Sequence, residues 1–270
     1  MSLSPGDRVS AELADGDRPA PDVVIEPDAD RLARAVAEAL VARLAAAQAV
    51  HGTASVVLTG GGVGIAVLER MAGLAAEPVR ETVDWTAVDV WWGDERFVPD
   101  GDEQRNERQA RTALLDAVGV PAERVHAMPP SDGEFPGPDE AAAWYAGQLA
   151  AAAPEGQELP RFDVLLLGMG PEGHTASIFP GSPAVRDPRP VVAVRDCPKP
   201  PPTRVSLGLR AINSAEEVWL VVAGAEKAPA VAAALTGAAP EEIPAAGVRG
   251  RRATRWLLDA GAASALPAAG

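Results

Sequence analysis

The chain has 270 residues, 47% of them hydrophobic but only 4% aromatic, so aliphatic packing must fill a core sized for one large α/β domain or two small ones. A formal net charge of -14 argues against a nucleic-acid partner, whose phosphates demand a basic face. The single cysteine, Cys197, excludes an internal disulfide and a thiolate zinc site, and the scattered His51, His126 and His174 form no HxxxH pair, so no metal is expected.

Residues 1–21 are polar, acidic and proline-bearing, which predicts a disordered or loosely attached tail. They carry no basic stretch followed by an apolar run, so no signal peptide is expected, and no apolar stretch has the length of a membrane span. The expected setting is a reducing cytoplasm. Residues 262–270, small residues and proline, predict a flexible C-terminal tail and leave 22–261 as a single domain.

Between the tails, short aliphatic runs alternate with helical patterns. A strand over 23–26 precedes a helix from about Asp30, in which Leu32, Val36, Leu40 and Leu44 recur every fourth residue on one face. Gly52 suits a left-handed cap at its end. A strand over 54–59 leads through Gly60-Gly61-Gly62 into a helix over about 65–75. A strand over 86–92 ends at Gly93-Asp94-Glu95-Arg96, which reads as a charged loop. Helices follow over 106–118 and 140–153. Residues 162–167 are apolar apart from Asp163, as suits a strand covered on both faces. Strands over 191–194, 204–207 and 218–223, a helix over 225–235 and a strand over 255–258 complete the pattern. Such alternation predicts a mostly parallel sheet flanked by helices, with ligands beyond the carboxyl ends of the strands.

Several stretches at those ends carry candidate chemistry. Gly60-Gly61-Gly62-Val63-Gly64 lets backbone N–H groups approach an anion, with the positive end of a helix behind them; a tight turn chosen for packing has the same composition. In the charged run after Trp92, Asp94 can accept hydroxyl protons and Arg96 can bind an anion, although solvated loops hold similar clusters. Residues 168–181 contain a formal GxGxxG, but Pro180 and Gly181 stop any helix after about two turns, which does not suit a dinucleotide. What remains is His174 at the start of a short helix, beside Glu172. An imidazole with an unperturbed pKa of about 6.5 is a natural general base near neutrality, while a lone histidine is more often structural.

Two further stretches supply cations. Arg204, opening a strand at the sheet's rim, offers a bidentate fork for phosphate. Lys227 falls in the first turn of a helix, where the dipole disfavours a cation, so a bound anion or simple exposure must account for it. Screening over roughly 8 Å lets such local cations hold an anion on an acidic protein. His126 reads as structural, and His51 suits the helix end on which it sits.

Together, LGMGPEGHTASIFPG, WGDERFVP, PPTRVSL and VVAGAEKA resemble, in order and spacing, the 6-phosphogluconolactonase family from about Val24 to Leu258. That resemblance implies an open Rossmann-like α/β sandwich without a nucleotide cofactor, shared with glucosamine-6-phosphate deaminases and sugar-phosphate isomerases. It implies hydrolysis of 6-phospho-D-glucono-1,5-lactone to 6-phospho-D-gluconate in the oxidative pentose phosphate pathway, by a monomer or weak homo-oligomer with a small phosphorylated lactone as its partner. It makes His174 the general base, with Asp94 and Arg96 lining the sugar site. It assigns substrate and phosphate binding to Gly60, Gly61, Gly62, Glu172, Arg204 and Lys227. The chain departs from the family where Gly62-Val63-Gly64 replaces Ser-Thr-Pro, where Arg105 precedes Asn106 and offers another cation, and where Glu172 replaces aspartate. The deaminases continue after GHxA with Asn-Glu-Pro; here the chain reads Ser177-Ile178-Phe179-Pro180 and lacks that carboxylate.

Overall fold

The computed structural model describes residues 19–75 and 83–267; most of the expected N-terminal tail lies outside them. The first half runs β1 (Asp22–Glu26), α1 (Ala29–His51), β2 (Ala54–Leu58), α2 (Gly62–Ala75), β3 (Val88–Trp92), β4 (Asp94–Arg96), α3 (Asn106–Ala110), a π-helical turn (Arg111–Leu115) and α4 (Asp116–Val118). The second half runs α5 (Pro138–Ala152), β5 (Val164–Leu167), β6 (Val191–Val194), β7 (Arg204–Leu207), α6 (Leu209–Ile212), β8 (Glu217–Val222), α7 (Ala228–Leu235) and β9 (Ala253–Asp259). No helix among these residues is long and apolar enough to cross a membrane.

Six strands form a parallel sheet in the order β1-β9-β8-β5-β2-β3, as the alternation predicts. Every side chain of β2 and β5 is buried, so both faces of the sheet's centre are covered and neither strand alternates. Helix α1 starts where Asp28 accepts the N–H of Arg31 at 2.8 Å and ends at Gly52, whose φ is 77°. Its Leu32, Leu40 and Leu44 are fully buried, each contributing roughly 1.5–3 kcal/mol.

The topology positions the loops that matter. From β2 the chain moves to one side to make β3, and it later returns on the other side of β2 to make β5. The loops after β2 and β5 therefore diverge around a crevice at their carboxyl ends. The Thr59 hydroxyl crosses it, accepting the N–H of Gly168 at 3.3 Å.

The charged run after Trp92 is not the expected loop. It is β4, which pairs antiparallel with β7, and β7 pairs in turn with β6 to make a second, three-stranded sheet. Gly93 carries the chain from one sheet to the other: its N–H donates to Leu58 at 3.0 Å and its carbonyl accepts the N–H of Leu207 at 2.8 Å. Strand alternation then puts Asp94 and Arg96 on one face, beside Ser206 and Arg204, and turns Glu95 to the other. Glu95 is 1% exposed, and its carboxylate accepts the N–H groups of Asn106 (2.7 Å), Arg96 (2.8 Å) and Glu107 (2.9 Å). It thus caps α3 from a distant strand, with Arg105 Nη2 3.9 Å away. Burial pushes its pKa up to about 7 despite Arg105 and the three backbone donors.

Two further expectations change. Residues 168–181 form no helix; a short antiparallel bridge between Thr175 and Ile178 folds this segment instead. The expected C-terminal tail is folded through Leu266: Ala262 is buried and donates its N–H to Asp259 at 2.7 Å, and Leu266 packs against the core. Replacing Glu95 by Ala leaves three N–H groups and Arg105 uncompensated, so urea unfolding at pH 7 should show a loss of about 3 kcal/mol. A loss under about 1 kcal/mol would mean that water replaces the carboxylate at little cost.

Candidate active site

A cleft of about 290 Å³ opens at the carboxyl ends of β2 and β5, between the two sheets. It brings together Gly60, Gly61, Gly62, Asp94, Arg96, His174, Arg204 and Lys227 from five separate stretches of sequence. A more open groove of about 560 Å³ runs along α2 past Ile65, Glu69, Arg108 and Thr112, but it gathers no histidine.

The glycine loop forms the rim on the β2 side. Gly61 has a φ of 86°, which admits glycine readily, and a Cβ on Gly60 would sit 1.9 Å from Asn106 Oδ1. Helix α2 starts directly at Gly62 with no acidic residue in its first turn, so its N-terminal N–H groups remain suited to an anion.

His174 stands in the loop after β5. Its Nδ1 lies 2.9 Å from Glu172 Oε1, and its ring stacks on Phe179 with centroids 4.5 Å apart. A carboxylate accepts only, so the neutral imidazole carries its proton on Nδ1 and leaves Nε2 as a base. Gly170 makes this possible: a Cβ there would meet His174 Nδ1 at 2.1 Å and Glu172 Oε2 at 2.6 Å. Burial lowers the His174 pKa and Lys199 adds to this, while Glu172 and Asp94 oppose it; the net value lies below 6.5. The ring is therefore mostly neutral at pH 7.

Glu172, expected to contact substrate, has both carboxylate oxygens engaged by neighbouring side chains. Glu172 sits behind His174 rather than on the cleft wall, held by His174 and by Lys199 Nζ at 3.1 Å. Burial tends to raise its pKa, but its own backbone N–H, His174 and Lys199 outweigh that, and the pKa is lowered.

Asp94 is buried on the opposite wall. Its Oδ2 accepts the Ser177 hydroxyl at 2.6 Å and lies 3.9 Å from Arg204 Nη1, and the Asn106 amide donates to its carbonyl at 2.8 Å. Arg96 lines the cleft with one guanidinium nitrogen bound to the Gln104 carbonyl. Lys227 directly precedes α7; burial lowers its pKa, and among the described residues no carboxylate lies within 4 Å of it.

Arg105 adds no cation to the cleft, being buried against the Met128 carbonyl at 2.7 Å. His126 stacks on Trp91 with centroids 3.8 Å apart, also away from the cleft. Among the described residues, no three His, Cys, Asp or Glu side chains gather as a metal site would need. Sequence reasoning missed Lys199, Thr59 and Ser177. Lys199 stands only two residues before the PPTRVSL stretch, and its sole local sign is a lysine ahead of three prolines.

The chain belongs to the family described as glucosamine-6-phosphate isomerases/6-phosphogluconolactonase, which it matches over residues 27–256. Within that family it is similar to the 6-phosphogluconolactonase of Streptomyces coelicolor, 53% identical over 92% of this chain and 95% of that one. The 6-phosphogluconolactonase of Mycobacterium tuberculosis is 52% identical over 91% of this chain and 98% of its own length. Among solved structures, the Trypanosoma brucei 6-phosphogluconolactonase is 29% identical with a TM-score of 0.79, covering 92% of this chain and 99% of that one. A monomeric glucosamine-6-phosphate deaminase shares the fold at 18% identity, with a TM-score of 0.75 over 90% of this chain and 99% of its own.

In an NMR titration the His174 imidazole should titrate below 6.5. The Glu172→Gln variant should titrate lower still, since it removes a charge and an acceptor that favour the imidazolium. A rise in that variant would contradict the pairing.

Proposed function

We propose that this cleft hydrolyses 6-phospho-D-glucono-1,5-lactone to 6-phospho-D-gluconate, with His174 as general base. The lactone-hydrolase activity accords with relatives about half identical over nine-tenths of the chain. The observation that carries the residue-level reading is the Glu172–His174 pair, which leaves a neutral Nε2 inside a cleft lined by cations. We place the reaction in the cytoplasm, in a single domain that runs from about Asp22 to Leu266 and acts as a monomer or weak homo-oligomer.

The phosphate is anchored by the N–H groups at the start of α2, by Lys227 and by the Nη1 edge of Arg204, while Asp94 accepts sugar hydroxyls. Nε2 of His174 takes a proton from water as the water oxygen bonds to the lactone carbonyl carbon. The carbonyl electron pair moves onto oxygen, where Arg96 is the candidate cation to stabilise it. Collapse re-forms the carbonyl and breaks the bond to the ring oxygen, which receives the proton from the imidazolium. Glu172 holds the ring in one tautomer and stabilises the imidazolium in between. A δ-lactone is already an activated ester, so this sequence needs no covalent intermediate. Residues 177–180 supply no carboxylate to the cleft, which separates the site from the deaminase pattern.

Following freshly generated lactone against the spontaneous rate tests this reading. The His174→Ala variant should lose about 10²–10⁴-fold in kcat with little change in KM. The wild-type kcat/KM should fall on the acid side, because protonating Nε2 removes the base, with a midpoint below 6.5. Wild-type turnover at the spontaneous rate would reject the activity; full kcat in His174→Ala would remove the histidine from it. The Lys227→Met variant should instead raise KM by roughly tenfold or more, as removal of a phosphate-bound cation does.

A further inference from the structure

The cleft holds one cation that the proposed chemistry does not use. Lys199 Nζ lies 3.1 Å from Glu172 Oε2, while the other oxygen of the same carboxylate lies 2.9 Å from His174 Nδ1. The carboxylate is thus held at both ends, one oxygen on the ammonium and one on the imidazole. Without the first contact, Glu172 can rotate about its side-chain torsions, and the second contact loses its fixed direction.

The loop bearing Lys199 is itself held from below. The buried Arg204 donates Nε to the Pro201 carbonyl at 2.7 Å, and Nη2 to the carbonyls of Lys199 and Pro200, both at 3.2 Å. The Cys197 thiol donates to the same Lys199 carbonyl at 3.0 Å. Two of the three guanidinium nitrogens of Arg204 are therefore committed to three successive carbonyls, and only Nη1 faces Asp94 and the cleft. An ammonium on a flexible stem is placed by fixing the backbone from which it grows.

We propose that Lys199 is a positioning residue that aligns His174 through Glu172, and that Arg204 seats Lys199 by fixing its loop. The inference rests on His174 being the base. Charged groups that face the imidazole are Glu172, Lys199 and Asp94, with Phe179 stacked on the ring. Glu172 and Asp94 favour the imidazolium and Lys199 opposes it. Removing the ammonium therefore raises the His174 pKa.

The test pairs NMR titration of His174, assigned by comparison with His174→Ala, with the pH profile of lactone hydrolysis. The side chain of Lys199 is 40% exposed, so Lys199→Met should fold normally. Its His174 titration and the acid limb of kcat/KM should both move to higher pH, with kcat at pH 8 down roughly tenfold and KM little changed. Lys199→Arg, which keeps a cation for Glu172, should restore the wild-type titration and most of kcat. Arg204→Lys should shift the titration the same way and add little to Lys199→Met in the double variant.

A raised KM with His174 titrating as in wild type would make Lys199 a substrate ligand and overturn the proposal. Failure of Lys199→Arg to restore the titration would overturn it too. Additive shifts in the double variant would overturn the role given to Arg204; should Arg204→Lys not fold, the Met and Arg variants at 199 decide the central claim. An inactive wild type would defeat the lactonase reading instead, while the titration, which needs no substrate, still reports on Lys199.

Discussion

Everything in the cleft depends on how two sheets are joined at Gly93. Its two backbone hydrogen bonds, to Leu58 and from Leu207, bind the end of the parallel sheet to the start of the antiparallel one. On one side of that joint stand the loops after β2 and β5, with the glycines and His174. On the other stand β4 and β7, with Asp94, Arg96 and Arg204. Backbone hydrogen bonds are short and directional, so a joint made of them fixes how far His174 stands from the cations opposite. The Ser177 hydroxyl repeats the tie closer to the chemistry, linking the His174 loop to Asp94 at 2.6 Å.

The acidity of the whole chain does not govern this site. A formal charge of -14 is spread over the protein, whereas Arg96, Lys199, Arg204 and Lys227 converge on one cleft. Two carboxylates stand close by, and both are engaged: Asp94 by Ser177 and Asn106, Glu172 by His174 and Lys199. Screening by salt weakens the distant negative charge far more than it weakens contacts inside a partly desolvated crevice.

Much of the fold was legible because its signals are local. The apolar runs of β2, β5 and β8, broken by Ser55 in β2 and by Glu217 at the start of β8, announce strands buried on both faces, and the four-residue spacing from Leu32 to Leu44 announces α1. The second sheet was not legible as such: β4 is three charged residues whose extended state comes from pairing with β7, far along the chain. The place of Glu172 was hidden for a related reason. Whether it faces a phosphate or an imidazole is decided by the turn at Gly170 and by an ammonium from a different loop. His174 could be named from its motif, but the absence of a helix around it follows from the Thr175–Ile178 bridge, which has no periodic signature.

The segment from Gly168 to Pro180 closes largely upon itself. Gly170 donates to the carbonyl of His174, Gly173 donates to that of Gly170, and Thr175 and Ile178 bond to each other. Few of its backbone groups take part in either sheet, so the scaffold does not dictate what chemistry it presents. A deaminase at 18% identity keeps the same architecture, so the strands that carry this segment do not by themselves set the reaction.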